Sequence, residues 1–393
     1  MRPRVLFLDH KGSLGGSELS LLDIARDNLG TSRVVLLTDG PFRERLEEAG
    51  VEVEVLPITT AVSGISREGG LRRDLLAVPH VLGLARRVAQ LSRKYELLYA
   101  NSQKALVIGA LAGMMVRKPM IWHQRGLLTK PEQTTHNYFS GTHRRLTALV
   151  SNHLVKRVIA NSRATARALV EAGVRVDRVR VVHNGIDPSP FEAVTASEVE
   201  KLRRELGLEG VPVVGAFGRL TPWKGQHVLL EALPHLPDVH ALVVGDARPE
   251  DENYAKALRQ QSNDLGLADR VHFTGFRRDV PRLMHLSDVV VHTSVAPEPF
   301  GRVIVEGMLA GTPVVATRGG GVLEIIHDGI NGVLVPPGDA IALAEVLRGL
   351  LMDPGRARTL SRAGHVTALE RFSLQAMLDG VAQQLQEVAT RTR

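Results

Sequence analysis

The chain has 393 residues, of which 44% are hydrophobic and 23% are charged, a composition typical of a globular protein with about two or three domains. It contains no cysteine, which excludes disulfides and thiolate metal sites. The longest apolar run, residues 105–116, has 12 residues and is too short to span a bilayer. Because the N-terminus also lacks the apolar core of a signal peptide, we expect a cytoplasmic protein, either free or at the inner face of the membrane.

Positive charge is concentrated in the first half of the chain. Residues 1–190 contain 28 Lys and Arg against 17 Asp and Glu, whereas residues 191–393 contain 21 against 25. Such an excess attracts phosphates, anionic lipids or nucleic acid, and a solvated basic surface without a fixed partner is the alternative. We expect no nucleic-acid partner, because no aromatic-rich basic segment or known nucleic-acid-binding motif accompanies the charge.

Strand-like and helix-like segments alternate through the first half of the chain. The predicted strands are Val5–Asp9, Arg33–Thr38, Val51–Leu56, Leu97–Ala100, Met120–His123, Val158–Asn161 and Arg180–His183. The predicted helices are Ser17–Asn28, Phe42–Ala49, Val78–Tyr95 and Ala105–Val116.

The second half repeats this alternation. Its predicted strands are Val213–Phe217, Val239–Val244, Val271–Thr274, Val289–Thr293, Pro313–Ala316 and Gly332–Val335. Apolar strands that alternate with helices are typical of parallel sheets covered on both faces, so we predict an α/β protein with two Rossmann-like domains. The breaker-rich segment Gly185–Pro190 predicts the boundary, which gives domains 1–187 and 188–372. A helix predicted within residues 373–393 packs either on the second domain or back on the first.

A glycine-rich segment, Gly12–Glu18, follows the first predicted strand. Glycines let backbone amides approach a ligand, and the N-terminus of the next helix favours an anion. The spacing matches neither the dinucleotide fingerprint nor the P-loop. A tight turn into a helix is the alternative explanation.

A second segment, Gly218–Gly225, follows the strand Val213–Phe217 and contains Arg219 and Lys224. Ligands of doubly wound sheets bind at the carboxyl ends of the strands. Arginine can bind a diphosphate bidentately and lysine adds a point charge, so the segment is typical of a phosphate site. A basic surface loop is the alternative.

Two glutamates, Glu298 and Glu306, flank a predicted helix that Pro299 opens. We expect Glu298 at the start of this helix and Glu306 two turns inside it, too far apart for a coupled acid–base pair. Each could accept hydrogen bonds from sugar hydroxyls, unless a neighbour neutralises Glu306. The glycines at 319–321 precede a predicted helix, Val322–His327, and form either an anion-binding loop or a plain turn.

These motifs together resemble the retaining glycosyltransferases of family 4, which have the GT-B fold. Gly15-Gly16-Ser17-Glu18 is similar to the family's Gly-Gly-x-Glu, and Gly218–Gly225 is similar to its phosphate-binding loop. Glu298 and Glu306 match its Glu-x7-Glu signature. Shorter matches to family segments are Asn161-Ser162, His183–Asp187 and Thr274–Phe276. The resemblance implies that the two Rossmann-like domains face each other across a cleft.

The resemblance implies a hexosyltransferase that uses a UDP- or GDP-sugar as donor and requires no cofactor. Arg219 and Lys224 would stabilise the leaving diphosphate, Glu298 would hold the donor sugar, and His123 would lie near its anomeric carbon. The acceptor would attack from the same face and lose its proton to the leaving phosphate. The chain has no Asp-x-Asp motif, so no metal is expected. The other donor-binding residues would be Gly15, Gly16, Asn184, Phe300, Gly301, Glu306 and Gly320.

The acceptor would contact the basic first domain, and we expect an anionic or lipid-linked glycan of cell-envelope or exopolysaccharide synthesis. Candidate contacts are the basic residues Arg67, Arg72, Arg73, Arg125, Lys130, Arg144 and Arg145. The helix Val78–Tyr95 either lies on a membrane surface or packs its apolar side on the sheet. A non-hydrolysing sugar-nucleotide epimerase of the same fold and a two-domain sugar-binding protein are the competing functions.

Overall fold

A computed structural model describes residues 2–58, 71–128 and 140–390, without the side chains of 71–77. The chain forms two units. The N-terminal unit consists of residues 1–185 and 374–393, and the C-terminal unit consists of residues 186–373. Each unit is built on its own parallel sheet.

The N-terminal sheet has seven parallel strands in the order β3-β2-β1-β4-β5-β6-β7. Their bounds are Val5–Asp9 (β1), Ser32–Leu36 (β2), Val53–Val55 (β3), Leu97–Ala100 (β4), Met120–Gln124 (β5), Arg157–Ala160 (β6) and Val179–Val181 (β7). Most of their side chains are buried on both faces, which explains the continuous apolar runs in the sequence.

Helices cover both faces of this sheet. They are Gly16–Asp27 (α1), Pro41–Glu48 (α2), Leu71–Ser92 (α3), Gln103–Val116 (α4), Gly141–His153 (α5), Arg163–Glu171 (α6) and Leu374–Thr390 (α16). Side chains of α3, α4, α5 and α6 share one apolar core with the sheet, and those of α1, α2 and α16 share the other.

The C-terminal helix α16 therefore completes the N-terminal unit. Met377, Val381 and Leu385 are each 1% exposed and lie in one core with Leu21 of α1. The helix approaches closely at Gly380, where a Cβ would lie 2.9 Å from a methyl group of Val182. Of the two packings left open by the sequence, the structure has the return to the first unit.

The C-terminal sheet has six parallel strands in the order β10-β9-β8-β11-β12-β13. Their bounds are Val213–Phe217 (β8), His240–Val244 (β9), Val271–Gly275 (β10), Val289–His292 (β11), Val314–Thr317 (β12) and Val333–Val335 (β13). The helices of this unit are Ser189–Glu192 (α7), Ala196–Glu205 (α8), Gln226–Ala232 (α9), Glu252–Asp264 (α10), Val280–Leu286 (α11), Arg302–Leu309 (α12), Val322–Ile325 (α13), Ala340–Met352 (α14) and Pro354–Arg371 (α15).

Several predicted helix boundaries are wrong. The predicted helix Val78–Tyr95 is observed as α3, Leu71–Ser92. The helix expected to open at Pro299 begins at Arg302, because Gly301 has φ 107° and cannot continue a helix. Glu306 is consequently the fifth residue of α12 and lies in its second turn, not two turns inside a longer helix. The helix expected to reach His327 ends at Ile325, since Ile326 is extended.

The strand orders identify where each sheet can bind a ligand. The direction of strand addition reverses between β1 and β4 in one sheet and between β8 and β11 in the other. Ligands of open α/β sheets bind beyond the carboxyl ends of the strands at such a switch point. The segments after β8 and β11 contain Arg219, Lys224 and Glu298, so this rule places all three at the C-terminal switch point.

We predict that the C-terminal helix contributes directly to the stability of the N-terminal unit. Leu385→Ala should lower the free energy of unfolding of that unit by about 2–5 kcal/mol, because it leaves a cavity between α16 and the sheet. Gln386→Ala, on the exposed side of the same helix, should change the free energy of unfolding by less than about 0.5 kcal/mol. Urea unfolding monitored by circular dichroism would measure both, and equal effects would contradict the packing.

Candidate active site

The segment after β8, residues 218–225, is here named the β8 loop. It runs beside the chain that follows β9: Gly218 N donates to Val244 O at 2.9 Å and Leu220 N donates to Asp246 O at 3.0 Å. Gly245 has φ 140°, and a Cβ there would lie 2.1 Å from Gly218 O. The β8 loop is therefore held by backbone contacts that only glycine at 245 permits.

Arg219 and Thr221 of the β8 loop share one carboxylate. Asp251 Oδ2 lies 3.8 Å from Arg219 Nε, and Asp251 Oδ1 accepts a hydrogen bond from Thr221 Oγ1 at 3.0 Å. The Asp251 side chain is 16% exposed, so its charge is only partly screened. Asp251 thus ties the guanidinium to a fixed position in the loop.

The other end of the β8 loop is joined to the segment after β11. Thr293 Oγ1 donates to Lys224 O at 3.1 Å, and Val295 N donates to Trp223 O at 2.9 Å. Gly225 has φ 67°, and a Cβ there would lie 2.1 Å from Thr293 O. This close approach brings Lys224 to the carboxylate of Glu298.

Glu298 lies at the centre of a polar cluster. Its Oε2 is 2.6 Å from Lys224 Nζ and 3.1 Å from His292 Nε2, and it accepts a hydrogen bond from Ser294 Oγ at 3.3 Å. The Glu298 side chain is 11% exposed. The Lys224 ammonium also lies over the Trp223 ring, 4.5 Å from its centroid.

Opposing effects act on the pKa of Glu298. Burial raises this pKa because it disfavours the carboxylate, but the charge of Lys224 and the hydrogen bond and charge of His292 lower it. The net result is a pKa well below the ordinary value of a glutamate. Glu298 is therefore an anion at neutral pH and can accept hydrogen bonds but not donate a proton.

The residues between the two glutamates have mixed roles. Phe300 is 2% exposed, and its ring packs edge-on against Phe372 with centroids 5.6 Å apart, so its side chain belongs to the core. Glu306 Oε1 lies 3.4 Å from Arg302 Nη2 within α12. This pair agrees with the alternative in which a neighbour neutralises Glu306. Binding of a sugar or ribose hydroxyl by the Glu306 carboxylate stays a prediction.

The glycines at 319–321 are explained by close packing against Glu298. Gly320 has φ 60°, and a Cβ there would lie 2.1 Å from Glu298 O. Gly321 N donates to the same carbonyl at 2.8 Å, and a Cβ on Gly321 would lie 2.5 Å from Pro299 O. The glycines hold the backbone of Glu298, and a direct contact of Gly320 with a ligand remains a prediction.

In the N-terminal unit, polar side chains are joined across four strand ends. Asn101 Nδ2 donates to the buried Asp9 at 2.7 Å, and Arg125 Nε donates to Asn101 Oδ1 at 3.0 Å. Arg125 Nη1 in turn donates to Asn184 Oδ1 at 2.7 Å. Arg125 was expected in an acceptor-facing loop and Asn184 at the donor, and the structure joins the two in one hydrogen-bonded network.

The predicted N-terminal anion site lies at the start of α1. Gly15 is the N-cap residue and Gly16 the first helical residue, and no side chain caps this end. Glu18 in the first turn is 2% exposed. Its Oε1 accepts a hydrogen bond from Ser17 Oγ at 2.8 Å, whereas its Oε2 is buried without a hydrogen-bond partner among the described residues.

His123 lies within β5 and is fully buried. Its Nδ1 forms a hydrogen bond with the Tyr99 hydroxyl, and its Nε2 is buried without a hydrogen-bond partner among the described residues. Burial lowers the pKa of His123 well below its ordinary value, and the charge of Arg125 lowers it further. Burial raises the pKa of Tyr99, so the hydroxyl keeps its proton, donates to Nδ1, and leaves the imidazole proton on Nε2.

The expected acceptor contacts are only partly supported by the structure. In α5, Arg145 is exposed, but Arg144 is 9% exposed and lies largely inside the protein. In the predicted helix Val78–Tyr95, the apolar residues Leu84, Ala85 and Val88 are buried, so this side packs on the sheet rather than on a membrane. Side chains outside the described part of the chain are Arg67, Arg72, Arg73 and Lys130.

Neither a metal-binding cluster nor a membrane-spanning helix is present within the described ranges. No group of three or more His, Cys, Asp or Glu residues there could hold a metal ion. No helix there is both long enough and apolar enough to cross a membrane.

Several residues of the site were not identified from the sequence. His292 lies at the end of the predicted strand Val289–Thr293 and Ser294 follows it, so the strand-end rule would have identified them had it been applied to every strand. Asn101 directly follows the predicted strand Leu97–Ala100 and would be found by the same rule. Asp251 could not be found in this way, because its partner Thr221 is 30 residues away in the chain. Its contacts depend on how the loops pack.

Two family models match this chain. Glycosyltransferase Family 4 matches residues 29–190, and Glycosyl transferases group 1 matches residues 198–366. HepE from Anabaena, solved with UDP and glucose, is 39% identical and has a TM-score of 0.88, with 98% of this chain and 99% of HepE covered. The chain belongs to the group 1 glycosyltransferases. Its fold is therefore GT-B.

Curated relatives of this glycosyltransferase match over part of their length. The lipopolysaccharide core biosynthesis glycosyltransferase LpsE of Rhizobium meliloti is 32% identical, with 58% of this chain and 63% of LpsE covered. A D-inositol 3-phosphate glycosyltransferase of Xylanimonas cellulosilytica is 38% identical, with 58% of this chain and 56% of the relative covered. The chain thus aligns with somewhat more than half the length of these relatives. Both relatives are named as glycosyltransferases.

The low pKa of Glu298 predicts a pH-dependent contribution to stability. The pKa of Glu298 in the folded protein is lower than that of an unfolded glutamate, about 4.3. The stabilisation by Glu298 is therefore complete above the unfolded-state pKa and is lost as the pH falls through the folded-state pKa. Glu298→Gln should therefore destabilise the C-terminal unit by about 1 kcal/mol less at pH ~3.5 than at pH 7. Urea unfolding at both pH values tests this, with Glu345→Gln on the exposed side of α14 as control. An equal effect at both pH values would contradict it.

Proposed function

We propose that this glycosyltransferase moves a hexosyl group from a UDP-sugar to an acceptor with retention of the anomeric configuration. Arg219, Lys224 and Glu298 carry the proposal, because they follow strands β8 and β11 at the switch point of one sheet. HepE, which is 39–40% identical over nearly the whole chain, was solved with UDP and with UDP-glucose. This similarity favours a UDP-sugar over a GDP-sugar.

The charges of the site suit the bond that must break. Cleavage of the bond between sugar and diphosphate develops negative charge on the leaving group and positive charge on the sugar. Arg219 and Lys224 supply fixed positive charge for the diphosphate, so the proposal includes neither a metal ion nor a cofactor. Asp251 keeps the Arg219 guanidinium in place, which reduces the reorganisation needed during the reaction.

The anionic Glu298 would bind hydroxyls of the donor sugar. Because its pKa is low and Lys224 neutralises it, Glu298 is a poor proton donor and a good hydrogen-bond acceptor. We assign the proton of the acceptor hydroxyl to the leaving phosphate, which permits attack on the same face of the sugar. Retention then needs no glycosyl-enzyme intermediate.

The Nε2–H of His123 has no hydrogen-bond partner among the described residues, which supports a second contact with the donor sugar. A buried donor without a partner costs about 1–3 kcal/mol, and a ligand hydroxyl that accepts from it would remove this cost. His123 would therefore act as a neutral hydrogen-bond donor rather than as a base. Donor contacts that remain predictions from the family resemblance are Gly15, Gly16, Asn184, the backbone of Phe300 and Gly301, Glu306 and Gly320.

The donor assignment is tested by binding and turnover. UDP-glucose should raise the melting temperature of the protein more than GDP-mannose does. Arg219→Gln should lower kcat/KM for the UDP-sugar by about 10²–10³-fold, because it removes charge that opposes the developing phosphate charge. Arg358→Gln, at an exposed position of α15, serves as the control. If no nucleotide sugar stabilised the wild-type protein, the proposal would be wrong.

For the acceptor we propose an anionic or lipid-linked glycan of cell-envelope or exopolysaccharide synthesis, bound by the N-terminal unit at the inner face of the membrane. LpsE is named for lipopolysaccharide core biosynthesis, which agrees with this acceptor class. On α5, Leu146 and Leu149 are 53% and 57% exposed, next to the exposed Arg145. Exposed apolar and basic side chains on one helix are typical of contact with an anionic lipid surface.

The lipid contact predicts a specific effect of two leucines. The wild-type protein should float with vesicles of anionic phospholipid at low salt, and the double variant Leu146→Gln/Leu149→Gln should bind several-fold less, because it loses the apolar contact. Val170→Gln, which changes an exposed apolar residue of α6, should bind like the wild type. Absence of the wild-type protein from the floated fraction would exclude the lipid contact without affecting the donor assignment.

A further inference from the structure

We propose that His292 is a positioning residue that holds one oxygen of Glu298 and so presents the other oxygen to the donor sugar. The inference rests on the proposed transfer from a UDP-sugar. His292 is the last residue of β11, and its side chain is 4% exposed. Its register partner is Ala316 of β12, so the backbone that carries the imidazole is held by that neighbouring strand.

The contacts around Glu298 differ between its two oxygens. Lys224 Nζ at 2.6 Å, His292 Nε2 at 3.1 Å and Ser294 Oγ at 3.3 Å all contact Oε2. The hydrogen bonds described for this carboxylate therefore leave Oε1 to a ligand. A carboxylate held through one oxygen by three groups has its second oxygen in a defined direction, which a hydroxyl of the sugar can use.

Hydrogen bonding determines which nitrogen of His292 carries the proton. If the proton were on Nδ1 alone, the lone pair of Nε2 would face the Glu298 carboxylate oxygen at 3.1 Å, which is repulsive. With a proton on Nε2, the imidazole donates to Glu298. Its Nδ1 is buried without a hydrogen-bond partner among the described residues. Ser294 Oγ lies 3.0 Å from the same Nε2; with the proton on Nε2 it accepts from the imidazole and gives its own proton to Glu298 Oε2 at 3.3 Å.

The segment that carries Ser294 is itself anchored. Thr317 Oγ1 at the end of β12 donates to Ser294 O at 2.7 Å. His292 and Ser294 therefore approach Glu298 from a rigid strand end, whereas Lys224 is a long, flexible side chain from another loop. His292 consequently restricts the rotamer of Glu298 in a way that Lys224 alone cannot.

The Lys224 contact does not depend on His292. The ammonium is 2.6 Å from Oε2 and comes from the β8 loop rather than from β11. We therefore expect His292 to matter for the sugar portion of the donor and for turnover, and to matter little for binding of UDP, which has no sugar to orient.

The inference is tested with His292→Leu and His292→Gln in the full-length protein. His292→Leu should lower kcat/KM for UDP-glucose by about 10- to 100-fold, the effect of losing a hydrogen bond to a charged group. His292→Gln should recover most of this loss, since its amide can donate to Glu298. The inhibition constant of UDP should stay within about twofold of the wild-type value. His285→Leu is the matched control, because His285 contacts only a backbone carbonyl, Phe191 O at 3.0 Å, among its described hydrogen bonds.

A pH profile gives a readout that a purely structural role would not change. The titratable groups with described contacts to Glu298 are Lys224 from the β8 loop and His292 from β11. The segment before α13 contacts Glu298 only through the backbone of Gly320 among the described contacts. Removal of the imidazole donor should raise the pKa of Glu298, so the acid limb of kcat/KM should move to higher pH in His292→Leu and return in His292→Gln.

Three results would overturn the inference. They are wild-type kinetics in His292→Leu, an equal loss of UDP and UDP-glucose affinity, and failure of His292→Gln to recover activity in a variant that melts like the wild type. Failure of the proposed function is a different result, in which the wild-type protein neither binds nor turns over any UDP-sugar.

Discussion

The ion pair between Lys224 and Glu298 is the interaction on which the C-terminal site depends. It joins the loop after β8 to the segment after β11, the two loops at the switch point of the sheet. Three glycines, at 225, 245 and 320, allow the backbones around it to approach within distances that a Cβ would prevent. The site is thus assembled from backbone contacts first, and its charged side chains are placed as a result.

Much of this organisation could be predicted from the sequence, because buried parallel strands leave continuous apolar runs. The strand Val213–Phe217 was predicted with its observed bounds, and Arg219 and Lys224 followed from their place after it. The start of α12 was not predictable in the same way, since the backbone angle of Gly301 decides it. Local composition indicates that a helix is present but does not fix the residue at which it begins.

The partners of the site residues were the least predictable part. Lys224 was assigned to a diphosphate from its charge, but its observed neighbour, Glu298, is 74 residues away. Arg125 was assigned to an acceptor because it is basic, yet it donates to Asn101 and Asn184. In both cases the packing of distant loops determined the observed contact, and the assigned ligand stays a prediction.

The return of α16 to the first unit has a consequence for synthesis of the chain. Residues 186–373 form one uninterrupted unit, so all of it has been synthesised before Leu374 is added. The N-terminal unit cannot complete its second core until Val388 has emerged. The part of the chain that is made first is therefore the last to have all of its core residues available.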